Sequence, residues 1–191
     1  MPGIFIFHPI DDGKNSGAAL DVNRLRMEEA DFEALDELEK AFERKDLMFF
    51  KAFLERSKDY PLLLRVHAVC MLEDIGNEEM VNPLCRVLKE DYSPLTRHEA
   101  AFTLGQLGYR SAVPALVESM LHDASPIARH ESAVALSSIG DDSIVAQLKE
   151  AIEDEDEDVR NSALIAFEYL TYLQRRRGAS GNVAVKPKIR L

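Results

Sequence analysis

The chain has 191 residues, 46% of them apolar and 30% charged, a balance that supports a sizeable buried core in a soluble globular protein. Its 34 acidic and 23 basic side chains leave a formal net charge of −11. That counts against a nucleic-acid binder, which normally presents a basic surface, and leaves room for a basic protein or peptide as partner or substrate. Two cysteines, Cys70 and Cys85, make no disulfide framework, and no run of 18 apolar residues offers a membrane span.

In chain order, MPGIFIFHPIDD lacks a basic opening and its short apolar run ends in acids. It reads poorly as a signal peptide, so reduced thiols and a cytoplasmic setting are expected. Residues 1–26 show no convincing period and form an irregular N-terminal segment. DFEALDELEKAF and DLMFFKAFLERS then space their apolar residues at helical intervals.

Beyond them the chain repeats. Arg65, Arg97, Arg129 and Arg160 follow one another at intervals of 32, 32 and 31 residues, and an aspartate stands six residues before each: Asp59, Asp91, Asp123 and Asp154. Glycine closes three units, at Gly76, Gly108 and Gly140. A period of this length signals stacked units, none able to bury its apolar face alone. Ser93-Pro94 and Ser125-Pro126 suggest N-caps with proline at the first helical position. Ala100, Ala101, Leu104 and Leu107 mark one buried helical face, and the glycine after it suits a left-handed cap. The second helix of each pair reads as EEMVNPLCRVLKE, SAVPALVESMLHD and DSIVAQLKEAIED. The fold expected is all-α, an α-solenoid of HEAT-like helix pairs over residues 27–177, with four paired units and a leading helix. The Asp-x5-Arg series recurs in every unit and is expected to tie each turn to itself or to its neighbour. The acidic run 153–158 falls in a tight connection and reads as a solvated edge. Residues 178–191, GASGNVAVKPKIRL, have the composition of a flexible C-terminal tail.

One feature is not explained by stacking. SPLTRHEAAFTLGQLG (93–108) and SPIARHESAVALSSIG (125–140) match at eight of sixteen positions and share an identical RHE. On a helical wheel of about 100° per residue, His98 and Glu99 point away from the Ala100/Leu104 face. The equivalent positions elsewhere hold Val66-His67 and Asn161-Ser162. The solenoid therefore does not require His-Glu, yet two adjacent units carry it. Helices pack roughly 8–10 Å apart and an imidazole holds a metal about 2 Å beyond its nitrogen, so His98 and His130 could converge on one ion. Glu99 and Glu131 would add hard oxygen ligands, and two histidines with a carboxylate are the facial set of non-haem iron. The plainer reading is a polar stripe on a solvated face.

The units resemble HEAT-like repeats of the phycobilisome-lyase type, and RHEAAFTLGQLG with RHESAVALSSIG is similar to the signature of the deoxyhypusine hydroxylase family. The resemblance covers about residues 45–170. It implies an α-solenoid of two halves whose four His-Glu motifs hold a non-haem di-iron centre, which activates O2 to hydroxylate a modified lysine. It also implies that His98, Glu99, His130 and Glu131 are metal ligands and that Fe is the cofactor. This chain carries two motifs where that family has four, so a complete site implies a homodimer. The apolar row Cys70, Phe102, Val134 and Ile165 is available for that contact or for packing between units. The competing expectation is a non-enzymatic protein-interaction scaffold; a bilin-lyase-like role ranks last. His8, His67 and His122 lie outside the paired register, although His67 occupies the position equivalent to Glu99. A phosphate-binding glycine loop, a GxSxG nucleophile and a CxxC zinc pattern are absent from the sequence.

Overall fold

The computed structural model describes residues 27–180, with side chains through Gly178. The irregular segment 1–26 and positions 181–191 of the expected tail lie outside the described residues. Nine helices are described: α1 (Glu29–Glu43), α2 (Leu47–Glu55), α3 (Leu62–Ile75), α4 (Val81–Glu90), α5 (Pro94–Leu107), α6 (Val113–His122), α7 (Pro126–Ile139), α8 (Val145–Ala151) and α9 (Glu157–Ser180). No strand occurs among the described residues. The odd-numbered helices pack side by side in one layer, and α2, α4, α6 and α8 form a second layer against them. The pairs are α2/α3, α4/α5, α6/α7 and α8/α9, with α1 leading, which is the expected four-unit solenoid.

Small residues set how closely the inner helices approach. Ala100, Ala101 and Leu104 are fully buried, as are Ala133 and Leu136. A Cβ added at Gly105 would sit 2.8 Å from both the Cα and the Cβ of Ala135, so only hydrogen fits where α5 crosses α7. The three glycines end α3, α5 and α7 as expected, but by two conformations. Gly108 and Gly140 take left-handed φ of 72° and 71°, while Gly76 is extended at φ −66° and ψ 155°. Ser93 and Ser125 hold the N-cap position before proline without a side-chain cap. Their backbone N–H groups instead donate to Asp91 and Asp123, each at 2.8 Å.

Those aspartates anchor the Asp-Arg series. Arg97 donates to both carboxylate oxygens of Asp123 at 2.7 Å, and to the backbone carbonyl of Asp91 at 2.8 Å. Arg129 repeats the pattern on Asp154 at 2.8 and 2.9 Å and on the Asp123 carbonyl at 2.9 Å. Each arginine thus grips the turn of its own unit and the carboxylate of the next. Such forked, charge-assisted bonds are geometrically specific as well as strong. The acidic run is more than a solvated edge, because Asp154 receives Arg129 while Asp156 accepts from the N–H groups of Asp158 and Val159 at the start of α9. The first rung differs: Arg65, 1% exposed, lies 3.4 Å from Asp91 Oδ1 and stacks over the Tyr92 ring at 3.9 Å, while Asp59 pairs with Arg56. Helix α9 continues through Gly178 to Ser180. Arg177 folds back from it onto Asp142 at 3.0 Å and the Gly140 carbonyl at 3.4 Å.

Candidate functional site

Each inner helix places the residue after its ladder arginine beside the residue two after the arginine in the next unit. By that register His98 and Glu131 share one such step, and His130 and Ser162 the following one. The structure joins them accordingly: His98 Nε2 lies 3.4 Å from Glu131 Oε2, and His130 Nδ1 is hydrogen-bonded with Ser162 Oγ at 2.7 Å. Glu99 lies beside His98 on α5, Oε1 standing 3.6 Å from Nδ1, too long for a hydrogen bond. From α3, the Cys70 thiol donates to Glu99 Oε2 at 3.5 Å. One unit earlier, His67 Nε2 meets Glu39 Oε1 of α1 at 2.7 Å.

His98, Glu99 and Glu131 therefore come together between α5 and α7. His130 is on the adjacent helix as expected, but its Nδ1 is turned toward α9, with the Asp158 carbonyl at 3.5 Å as well. The expectation of an accessible face holds for the histidines in part: the His98 side chain retains 18% exposure, whereas Glu131 is buried at 7%.

Electrostatically the cluster is short of positive charge. Burial, reinforced by the negative charge of Glu99 and opposed by His98, pushes the Glu131 carboxyl up to about 7. Burial alone would depress the His98 imidazole; the Glu99 and Glu131 carboxylates outweigh it, and the net direction is up. Glu73, one turn beyond Cys70, is raised by its own partial burial, then by Asp74 and Glu99. Burial and the same Glu99 charge push the Cys70 thiol far above its ordinary range, which makes it a thiol rather than a thiolate nucleophile.

Among the described residues no three His, Cys, Asp or Glu side chains converge to hold a metal ion. The donors present nonetheless suit iron chemically. His98 Nδ1 is buried without a hydrogen-bond partner, and His130 has Nδ1 tied to Ser162, leaving Nε2 as the ring atom for a ligand. Orientation of a histidine through its second nitrogen is the usual support of a metal ligand.

Sequence reading missed Ser162, Glu73 and Glu39. The first had a signal in its register, two residues after Arg160, where the other inner helices carry Glu131, Glu99 and His67. Glu73 and Glu39 had none, since their role depends on which helix faces lie opposite. His122 is exposed at the end of α6 and His8 lies outside the described residues. An open groove of about 1060 Å³ crosses the outer layer between α2, α4 and α6, lined in part by Lys51, Cys85, Arg86 and His122, and contains none of the four expected ligands.

The stacked pairs and their arginine clamps define an α-helical repeat protein. A family model described as HEAT repeats matches residues 47–137 and 81–168, together more than half of the chain, and the chain belongs to that family. The match is to HEAT repeats at large, coarser than the phycobilisome-lyase type. Among solved structures the chain is similar to human deoxyhypusine hydroxylase in complex with glycerol, at 28% identity and a TM-score of 0.57. The similarity covers 74% of this chain and 50% of that one, so the chain spans about half the length of the hydroxylase. No curated protein sequence matches it. No helix among the described residues is long and apolar enough to cross a membrane.

Proposed function

We propose that the protein is an iron-dependent, O2-using hydroxylase-like HEAT-repeat protein, with His98, Glu99, His130 and Glu131 as its share of the ligands and a second copy supplying the rest. The observation that carries the reading is the buried pairing of His98 with Glu131 beside Glu99, in which burial and the Glu99 charge raise the Glu131 carboxyl and no arginine or lysine among the described residues pairs with the three. A cation would relieve that crowding. The likeness to half of a hydroxylase supports the same assignment.

Bound there, iron would supply the activation of O2. The protein's part is to orient and to attract. Ser162 fixes the His130 ring, Glu131 and Glu99 flank His98, and the net charge of −11 favours a basic protein or peptide as substrate. The test is the iron content and optical or Mössbauer spectrum of protein loaded anaerobically, then exposed to O2. About one iron per chain is expected, lost in His98→Ala and in His130→Ala with helical content unchanged. Metal-free wild type would leave the second reading, a protein-interaction scaffold. That alternative is favoured by the in-chain contacts of both histidines, to Glu131 and to Ser162.

A further inference from the structure

Helix α9 closes the inner layer, so one of its faces meets no further helix among the described residues. Val159, Ala163, Ala166, Leu170 and Leu173 turn inward and are buried. The other side carries Leu164, Ile165 and Tyr172, which are 45%, 69% and 51% exposed. At about 100° per residue these three share one arc of ~120° with Glu157 and Asp158 at the start of the helix and Arg175 and Arg176 near its end. All four charged residues are exposed. This is the side on which each earlier inner helix receives its successor. Terminal units of a solenoid normally need a polar outer face, and this one is apolar at its centre.

The charge pattern specifies what covers it. We propose that the face docks a second copy of the chain through the same helix, antiparallel, about a two-fold axis passing between Ala166 and Phe167. In that register Leu164 and Ile165 of both copies meet at the centre, and Tyr172 of each lies opposite Asn161 of the other. Glu157 faces Arg175, and Asp158 faces Arg176, the members of each pair sharing one azimuth of the helix. A two-fold contact must be complementary to itself, and an acidic start with a basic end on one helix face meets that condition. Arg176 is already held near the stripe, its guanidinium 5.9 Å from the Tyr172 ring centroid. One member opposes the contact: the two copies of Glu168 approach each other near the axis. Twenty residues of α-helix span ~30 Å, a small interface for a stable complex, so association in the micromolar range is expected. The contact is separate from the copy invoked for the iron site, because the face contains none of the four proposed ligands and a dimer formed here does not by itself complete that site.

Sedimentation equilibrium on the full chain tests it, with circular dichroism confirming the fold of each variant. Wild type should dimerise reversibly. Arg175→Glu with Arg176→Glu places acid against acid and should weaken association by about 100-fold, as should Ile165→Glu. Glu157→Lys with Asp158→Lys fails alone in the same way, but mixed with the arginine-reversed chain it should restore a heterodimer to within a few-fold of wild type. Glu168→Gln should tighten the dimer. A wild type that stays monomeric at high micromolar concentration overturns the proposal, and so does a dimer that these substitutions leave unchanged. Iron content of the same samples separates the two readings: a metal-free dimer that responds as described supports the docking surface and removes the hydroxylase assignment.

Discussion

Two series of polar residues run across the same inner helices, one residue apart in register, and they end differently. In the Asp-Arg series Arg97 and Arg129 each fork onto the next unit's carboxylate and bond a carbonyl of their own unit. At these two rungs opposite charges balance and the groups are locked; the first rung is looser, with Arg65 Nε and Nη1 and Asp91 Oδ2 buried without a hydrogen-bond partner. The series beginning with His98 is only partly closed. Around His98 its carboxylates crowd together, Nδ1 is buried without a hydrogen-bond partner, and the ring's contacts are 3.4 and 3.6 Å, whereas His130 is held by Ser162 at 2.7 Å. A closed ladder stabilises a fold. An open one keeps its donors available for something else. The comparison assigns stability to the rungs of Arg97 and Arg129, and the proposed function assigns ligand binding to the second series; each assignment can be broken separately.

The largest effect should come from the ladder. Arg129 keeps 8% side-chain exposure and joins two units. Arg129→Ala strands Asp154 and the Asp123 carbonyl, a loss of about 3–5 kcal/mol for a buried charged pair deprived of one member. For a domain of this size that corresponds to a fall in Tm of ~10 °C. Calorimetry of Arg129→Ala beside His98→Ala sharpens the contrast, since His98→Ala should move Tm by a few degrees at most. Comparable losses in the two variants would mean that both series are structural.

Much of the ladder was legible in the sequence, because its spacing repeats and because arginine and aspartate six residues apart recur where the His-Glu pair does not. What the sequence hid was direction: that Arg97 and Arg129 fork forward onto the next unit's aspartate follows from the stacking offset. The glycine ends of three helices were legible for the same reason, yet Gly76 ends its helix without a left-handed turn. At the site the sequence identified which helix face carries the histidines. It could not show that His130 turns to Ser162, because that choice depends on a 2.7 Å partner on another helix. The burial of Glu131 was hidden too, since a wheel drawn for one helix omits the neighbours that pack along its flanks.

A second break targets the open series without touching a proposed ligand. Ser162 holds the His130 ring through Nδ1. Ser162→Ala should weaken iron binding by about 10–100-fold, the usual cost of losing a residue that orients a metal ligand, while Tm stays nearly constant. Isothermal titration with ferrous iron under nitrogen measures it. Unchanged affinity would mean that His130 is not a ligand, or that its orientation is set elsewhere.

The smallest effect separates the two series by pH in metal-free protein. Burial would raise the carboxyl of Asp154, but Arg129 and the Asp156 N–H outweigh it and hold the folded value below the ordinary one. Its contribution is present at neutral pH and disappears as pH falls through that depressed value. Glu131 has the opposite sign. Its folded value is raised to about 7, so the native state binds a proton that the unfolded chain has already released. Stability from that proton is full below the unfolded carboxylate range near 4.5 and is lost as pH rises through 7. His98, raised by the same neighbours, titrates in the same direction, and the two groups share their protons. A shift of this size could supply ~3 kcal/mol in isolation; sharing with a paired histidine reduces the expectation to about 1 kcal/mol between pH 5 and pH 8. Urea denaturation across that range should show wild type losing stability on the alkaline side, and Glu131→Gln should flatten the slope there. The acid side, governed by the ladder, should not change. A Glu131→Gln profile that parallels wild type between pH 5 and 8 would show that the Glu131 carboxylate titrates as it does in water, and the crowding that distinguishes the open series from the closed one would be gone.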